Sequence, residues 1–183
     1  MASELKVLIV DDQVGLMDKQ EQGLWRTVIR SRLEKAGFPN AHVSICATIS
    51  KAGEEICRAN KTGHPYHIVV LDGKLPCDAN DFASSSSSGS LYWSTEFIDR
   101  YIAPLAARPR VLPWTGVTRF HHIRDHCAEK GYDFLEDLCF KDVEDSGREK
   151  LAGCIAKVAK DNFAPGEVVL KPPAVRLAES TPS

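Results

Sequence analysis

Five side chains able to take part in chemistry stand where strand-like, apolar stretches of this sequence end. Asp11 and Asp12 close the stretch LKVLIVDD, and Asp72 closes HIVVLD. Thr115 and Lys141 end two further stretches, RVLPWT and LCFK. A fold that brought these ends together would place three carboxylates, one hydroxyl and one ammonium group in a single site.

That set of groups favours phosphoryl chemistry. Clustered carboxylates raise one another's pKa unless a cation lies between them, and hard oxygen ligands suit Mg²⁺. Because Mg²⁺ commonly shares its coordination shell with phosphate oxygens, we expect a phosphoryl group as its companion. Asp72 would then be a carboxylate nucleophile, while Thr115 hydrogen-bonds one phosphoryl oxygen and Lys141 neutralises another.

The elements that must position these residues alternate along the chain. The predicted strands cover residues 5–12, 41–48, 67–72, 110–115 and 138–141. Five helical patterns follow or separate them, with apolar residues such as Leu24, Val28, Ile29 and Leu33 in the first and Phe120, Ile123 and Cys127 in the fourth. Alternation of this kind predicts an α/β fold, a doubly wound parallel sheet of five strands with helices on both faces. In such sheets ligands bind beyond the carboxyl ends of the strands, where all five candidate residues would lie.

Composition limits the other possibilities. A chain of 183 residues with 43% hydrophobic residues can bury one sizeable core, and its net charge of −2 argues against direct binding of nucleic acid. The sequence shows neither a signal-peptide pattern nor a long apolar stretch, so we expect a cytoplasmic protein without membrane contact. Its six cysteines lack zinc-binding spacing, and reduced structural thiols are favoured over a disulfide framework.

We predict one domain over residues 1–161 and a flexible tail or linker over 162–183, which is rich in proline. Residues 77–93 form a long insertion dominated by serine, and we interpret it as a partner-specific surface or a lid.

The motifs KVLIVDD, VVLDGKLP, VLPWTG and LCFK together resemble the receiver domain of bacterial two-component response regulators. The resemblance covers about residues 4–161 and depends on the conjunction of the motifs. It implies a flavodoxin-like fold with strand order 2-1-3-4-5. It also implies that the domain requires Mg²⁺ and accepts a phosphoryl group from a sensor histidine kinase or a phosphotransfer protein.

The resemblance also assigns roles to single residues. Asp72 would be the phospho-acceptor, Asp11 and Asp12 the acidic metal-binding pair, Thr115 the switch hydroxyl and Lys141 the lysine typical of the family. The backbone carbonyl of Lys74 would complete the metal shell, and Pro76 falls where the family has its loop proline.

Two positions depart from the family pattern. Asp142 follows Lys141, where the family usually has a proline, and Leu138 stands where an aromatic switch residue is expected. Phe134 is a candidate substitute for that aromatic residue. The intervals before and after Asp72 are also longer than is typical of the family.

The expected function is a phosphorylation-controlled signalling switch that acts on a downstream protein target. Such a domain is not an enzyme beyond catalysing its own phosphorylation and dephosphorylation, and it can dimerise through its fourth and fifth helices. A binding module that no longer uses phosphate is one alternative. A haloacid-dehalogenase-like phosphatase is another, although that chemistry needs a second acid where this chain has Lys74.

Two further patterns have mainly structural interpretations. His122 and His126 have a spacing that can bind zinc on a helix, but no further ligand is evident. The three tryptophans are expected to pack in the interior, because no basic, aromatic strand surrounds them.

Overall fold

The computed structural model of the chain describes residues 4–78, 91–141 and 146–170. Five of its strands form one parallel sheet: β1 (Lys6–Val10), β2 (His42–Cys46), β3 (Ile68–Leu71), β6 (Arg110–Thr115) and β7 (Cys139–Phe140). Two short strands, β4 (Lys74–Pro76) and β5 (Leu91–Trp93), pair separately as an antiparallel hairpin.

The helices are α1 (Asp12–Leu16), α2 (Lys19–Lys35), α3 (Ile49–Lys61), α4 (Ser94–Phe97), α5 (Val117–Lys130) and α6 (Ser146–Asn162). A π-helical turn, Ile98–Ile102, continues α4. None of these described helices combines the length and apolar character that crossing a bilayer requires.

The strands of the parallel sheet lie in the order β2-β1-β3-β6-β7. This numbering differs from the predicted order 2-1-3-4-5, because the sequence analysis did not foresee the β4–β5 hairpin between β3 and β6. The five strands themselves fall within the five predicted stretches. The α/β class and the all-parallel sheet of five strands are therefore as predicted.

Successive side chains of the central strands enter different hydrophobic clusters. Val7 and Ile9 of β1 belong to a cluster that includes residues of α2 and α6. Leu8 and Val10 belong to a second cluster, with residues of α3, the π-helical turn and α5. Because neighbouring side chains on a strand point to opposite sides of the sheet, β1 is apolar at every position from Val7 to Val10 rather than at alternate ones.

The first long helix buries a stripe that differs slightly from the predicted one. Trp25, Ile29 and Leu33 of α2 are buried, whereas Leu24 is 48% exposed. The spacing of four residues from Trp25 through Ile29 to Leu33 keeps the three side chains on one face. Trp25 therefore takes the inward position that the pattern assigned to Leu24.

Helix α5 ends at a glycine. Gly131 caps its C-terminus with φ +69°, the left-handed conformation that glycine adopts without a Cβ penalty. The backbone N–H of Gly131 donates to the carbonyls of the last helical turn.

The boundary expected after residue 161 is not a boundary of packing. Helix α6 continues to Asn162, and Phe163 and Val168 are buried in the cluster that contains α2. The last part of the predicted tail, residues 171–183, lies outside the described residues, as do residues 79–90 of the predicted insertion.

A disulfide joins Cys139 of β7 to Cys154 of α6. The expectation that these two cysteines are reduced thiols is therefore wrong for this structure. Cys46 and Cys127, by contrast, are buried thiols, and burial raises the pKa of each to about 11.

Candidate functional site

Asp11 lies directly after β1 and begins the next element. Its side chain is fully buried, and its Oδ1 accepts a hydrogen bond of 2.8 Å from the backbone N–H of Val14, which caps α1. Asp12 is the first residue of α1 and is partly exposed. Two consecutive residues at this edge of the sheet therefore differ in exposure: Asp11 is buried and Asp12 reaches the surface.

Asp72 follows β3 and is 2% exposed. The backbone N–H of Gly73 donates to its Oδ1 at 2.5 Å. The backbone N–H of Asp72 donates to the carbonyl of Val10 at 3.0 Å, which continues the pairing of β1 with β3 to the strand ends. The alignment of the two strands thus brings Asp72 beside Asp11.

Lys141 connects the two buried carboxylates. Its Nζ lies 2.5 Å from Oδ2 of Asp11 and 2.7 Å from Oδ2 of Asp72, and its side chain is only 13% exposed. Burial by itself would lower the pKa of Lys141, but the adjacent carboxylates outweigh it and raise that pKa above its usual value. Lys141 therefore stays cationic.

The ionised form of Asp11 is less strongly stabilised than the cationic form of Lys141. Burial raises its pKa above the usual range, and the cation and hydrogen bond of Lys141 offset this only in part. Asp72 adds to the rise because it is a second carboxylate nearby. A further cation at this edge would stabilise the ionised form of both groups.

The carboxylates fit a hard cation. One oxygen each from Asp11, Asp12 and Asp72 lies within 4.8 Å of the other two. All of these donors are carboxylate oxygens, the ligand type that Mg²⁺ prefers. Lys74, the remaining predicted ligand, begins β4, and its ammonium group lies 4.4 Å from the centre of the Trp93 ring. Its backbone carbonyl remains a predicted ligand.

Thr115 ends β6 at the same edge. Its side chain is fully buried, and its Oγ1 has no hydrogen-bond partner among the described residues. A buried hydroxyl without a partner is costly, and a ligand bound at this edge could satisfy it. Its neighbour is Gly73, where an added Cβ would lie 2.9 Å from this Oγ1.

Sequence reasoning missed Arg119. Its Nη1 lies 3.6 Å from Oδ1 of Asp72. The side chain passes close to Gly73. A Cβ added at Gly73 would lie only 2.6 Å from Cβ of Arg119, so the glycine leaves room for this approach. A basic residue four positions after the strand-ending Thr115 was the only signal in the sequence.

The hairpin was missed as well. The backbone N–H and the Oγ of Ser94, just after β5, both donate to the carbonyl of Gly73 at 3.2 Å. The Trp93 ring stacks on His122 of α5, with 3.8 Å between ring centres. The hairpin therefore ties the loop after Asp72 to helix α5.

The candidate substitute for the aromatic switch residue lies elsewhere. The carbonyl of Phe134 accepts from the backbone N–H of Val111, near the start of β6, whereas the site lies at the end of that strand. Its ring is buried and stacks on Tyr132. Leu138 is partly buried, and Asp142 lies outside the described residues.

The histidine pair does not converge on a metal. His126 pairs with Asp99 through Nε2 at 3.0 Å, while His122 stacks on Trp93. Trp25 and Trp114 pack against each other in the interior, with 5.2 Å between ring centres. Within the described ranges, the acidic cluster is the one group with metal-binding geometry.

No protein-family model matches the chain, and no curated protein is significantly similar to it in sequence.

Proposed function

We propose that this chain is a receiver domain of a two-component phosphorelay, which accepts a phosphoryl group on Asp72 in a Mg²⁺-dependent reaction. The observation that carries the proposal is the setting of Asp72. It is a buried carboxylate that contacts Lys141, and it lies at one edge with Asp11, Asp12 and Thr115, whose hydroxyl has no partner among residues 4–78, 91–141 and 146–170.

The reaction is a displacement at phosphorus. A carboxylate oxygen of Asp72 forms a bond to the phosphorus of a donor, and the bond from phosphorus to the donor's leaving atom breaks. With a phosphohistidine donor, the imidazole nitrogen leaves with the bonding electron pair. The product is an acyl phosphate on Asp72, and its hydrolysis restores the carboxylate.

Each neighbouring residue has a separate part in this reaction. Lys141 neutralises negative charge on the phosphoryl group, and Thr115 donates its unpartnered hydroxyl to a phosphoryl oxygen. Bound Mg²⁺, held by Asp11, Asp12, Asp72 and the carbonyl of Lys74, would neutralise further phosphoryl oxygens. Lys141 already contacts the carboxylates of Asp11 and Asp72, so its ammonium group is in position to neutralise a phosphoryl group on Asp72.

The fold supports the same proposal. The parallel sheet with two hydrophobic clusters suits a doubly wound, flavodoxin-like arrangement, in which helices cover both faces. The five functional residues lie at or just beyond the carboxyl ends of β1, β3, β6 and β7.

The output is a change in a protein-binding surface. Thr115 immediately precedes Gly116 and α5, so a hydrogen bond from its hydroxyl to a phosphoryl group would pull the start of that helix toward Asp72. The stack of Trp93 on His122 then carries the movement to the hairpin. We propose a sensor kinase or phosphotransfer protein as the donor, a protein as the target and the cytoplasm as the location.

A phosphatase of the haloacid-dehalogenase type is less well supported. Its general acid would stand two residues after the nucleophile, where this chain has Lys74. That side chain lies over the Trp93 ring and offers a cation instead of a carboxylic acid.

The test is the intact mass of the protein after incubation with acetyl phosphate or phosphoramidate, with and without Mg²⁺. We expect the gain of one phosphoryl group with Mg²⁺ only. Asp72→Asn should abolish the gain, while Asp125→Asn, at an exposed residue of α5, should leave it unchanged. Small donors are used because they remove the identity of the kinase from the question.

Absence of any gain in a folded sample would overturn the proposal. If that sample also fails to bind Mg²⁺, the domain is a binding module that does not use phosphate. Release of inorganic phosphate from small phosphate esters, with repeated turnover, would favour the phosphatase instead.

A further inference from the structure

The two oxygens of the Asp72 carboxylate face two different cations. Lys141 contacts Oδ2, and Arg119 of α5 lies on the side of Oδ1. We propose that Arg119 is a phosphoryl-binding residue, whose guanidinium group holds the oxygens of a phosphoryl group on Asp72. This inference rests on the proposed function, because it concerns the same acceptor.

The contact between Arg119 and Asp72 is an ion pair without a close hydrogen bond. Nη1 lies 3.6 Å from Oδ1, and that oxygen already accepts from the backbone N–H of Gly73. The guanidinium donors are therefore not needed to hold the carboxylate. They remain available as a planar fork of N–H donors, which can bind two oxygens of a phosphoryl group.

The exposure of the two cations suits different tasks. The side chain of Lys141 is almost enclosed, whereas that of Arg119 is 45% exposed. Lys141 can neutralise the buried carboxylates in every state of the site. The half-exposed side chain of Arg119 can meet a donor that arrives from solvent, and it can move outward when a phosphoryl group is added to Asp72.

The position of Arg119 in its helix has no local explanation. It is the third residue of α5, and the first turn of that helix contains no acidic side chain. The N-terminus of a helix carries partial positive charge, so a cation is disfavoured there. The glycine at position 73 is what lets the side chain approach the acceptor. Attraction to the carboxylate site, rather than to its own helix, accounts for this placement.

The balance of formal charge among the groups that contact or surround Asp72 also favours a role for this residue. The three carboxylates exceed Lys141 and Arg119 by one negative charge, and bound Mg²⁺ would turn that into one excess positive charge. Phosphorylation replaces the single charge of Asp72 with about two, which makes the site neutral. Without Arg119 the phosphorylated site would keep one uncompensated negative charge.

The experiment compares Arg119→Gln, Arg119→Lys and Arg124→Gln with the native chain. Arg124 lies on the same helix but pairs with Asp125 at the surface, so it is the matched control. Two quantities are measured for each protein. One is the rate of mass gain with acetyl phosphate and Mg²⁺, and the other is the dissociation constant for Mg²⁺ without a donor, by calorimetry.

We expect Arg119→Gln to slow labelling by about 10-fold or more, because one donor to the transferring group is lost. The same change should tighten Mg²⁺ binding by roughly 3-fold or more, because a nearby cation no longer repels the metal. Arg119→Lys should give a labelling rate and a Mg²⁺ affinity between those of the native chain and Arg119→Gln. Arg124→Gln should match the native chain in both quantities.

Other results would contradict the inference. If Arg119 only masks the acceptor, Arg119→Gln will label faster than the native chain. An unchanged labelling rate in Arg119→Gln would equally overturn the role of Arg119 and leave the proposed function intact. Failure of the native chain itself to label would overturn the proposed function and this inference together.

Discussion

Acidification should destabilise this protein through His67, a buried histidine just before β3. The side chain is 7% exposed, and its Nδ1 accepts a hydrogen bond of 3.0 Å from the backbone N–H of Lys6. Its ring makes a T-shaped contact with the ring of Phe163. Burial lowers the pKa of His67 to about 4, and the positive charge of Lys6 adds to the effect.

The magnitude follows from proton linkage. An unfolded histidine titrates near 6.5, so above that pH neither state binds the proton and His67 contributes no dependence on pH. Between 6.5 and about 4 only the unfolded chain gains the proton, and the free energy of unfolding falls as pH falls. The full interval is worth about 3 kcal/mol, and the part between pH 7.5 and 5 about 2 kcal/mol.

The assay is urea unfolding, followed by circular dichroism, at a series of pH values from 7.5 to 4. His67→Asn is the test variant, because an asparagine oxygen can accept from the backbone N–H of Lys6 without titrating. His64→Asn, at an exposed position, is the control. Subtracting the variant's curve from the native curve removes the contribution of carboxylates common to both proteins.

We expect the difference between the native protein and His67→Asn to change by about 2 kcal/mol between pH 7.5 and 5, with His64→Asn parallel to the native curve. A difference that stays constant across this range would mean that His67 titrates normally in the folded protein. The reasoning from burial would then be wrong.

Two further predictions concern close contacts at glycines. Gly73→Ala should slow phosphoryl labelling by about 10-fold or more, because the added Cβ would displace Thr115 or Arg119. Gly116→Ala is the control and should label at the native rate, because the space around Gly116 is open. Equal labelling rates of the two variants would contradict the close approach at Gly73. Gly53→Ala should lower the free energy of unfolding by about 1–3 kcal/mol, because the added Cβ would overlap the ring of Tyr101 in the π-helical turn. Gly153→Ala in α6 should instead raise it by up to about 1 kcal/mol, and urea unfolding of both variants checks the pair.

The positions of the acidic residues were predictable because they depend on local pattern and on general rules of chain topology. Runs such as VLIV and IVVL are apolar at every position, as is typical of strands in the middle of a parallel sheet. Right-handed crossovers then bring the carboxyl ends of all such strands to one edge. Asp11, Asp72, Thr115 and Lys141 were therefore expected together before any distance was known.

The hairpin after β3 was not predictable from pattern. Its strands have three residues each and pair Lys74 with Trp93, which are far apart in the sequence. Strands this short carry too little alternation to be distinguished from a loop, and the serine-rich composition between them favoured that interpretation. Only long-range pairing defines them.

The sequence by itself determined the fold class of this protein and the edge at which its polar residues gather, because both follow from hydrophobic pattern and handedness. The tertiary structure decided which atoms meet. It placed Lys141 between two carboxylates and left the hydroxyl of Thr115 without a partner in the part of the chain that the structure describes. It also brought Arg119 over Gly73 to the acceptor. Contacts of this kind depend on the packing of α5 and β7 against β6, to ångström precision, which no local spacing encodes.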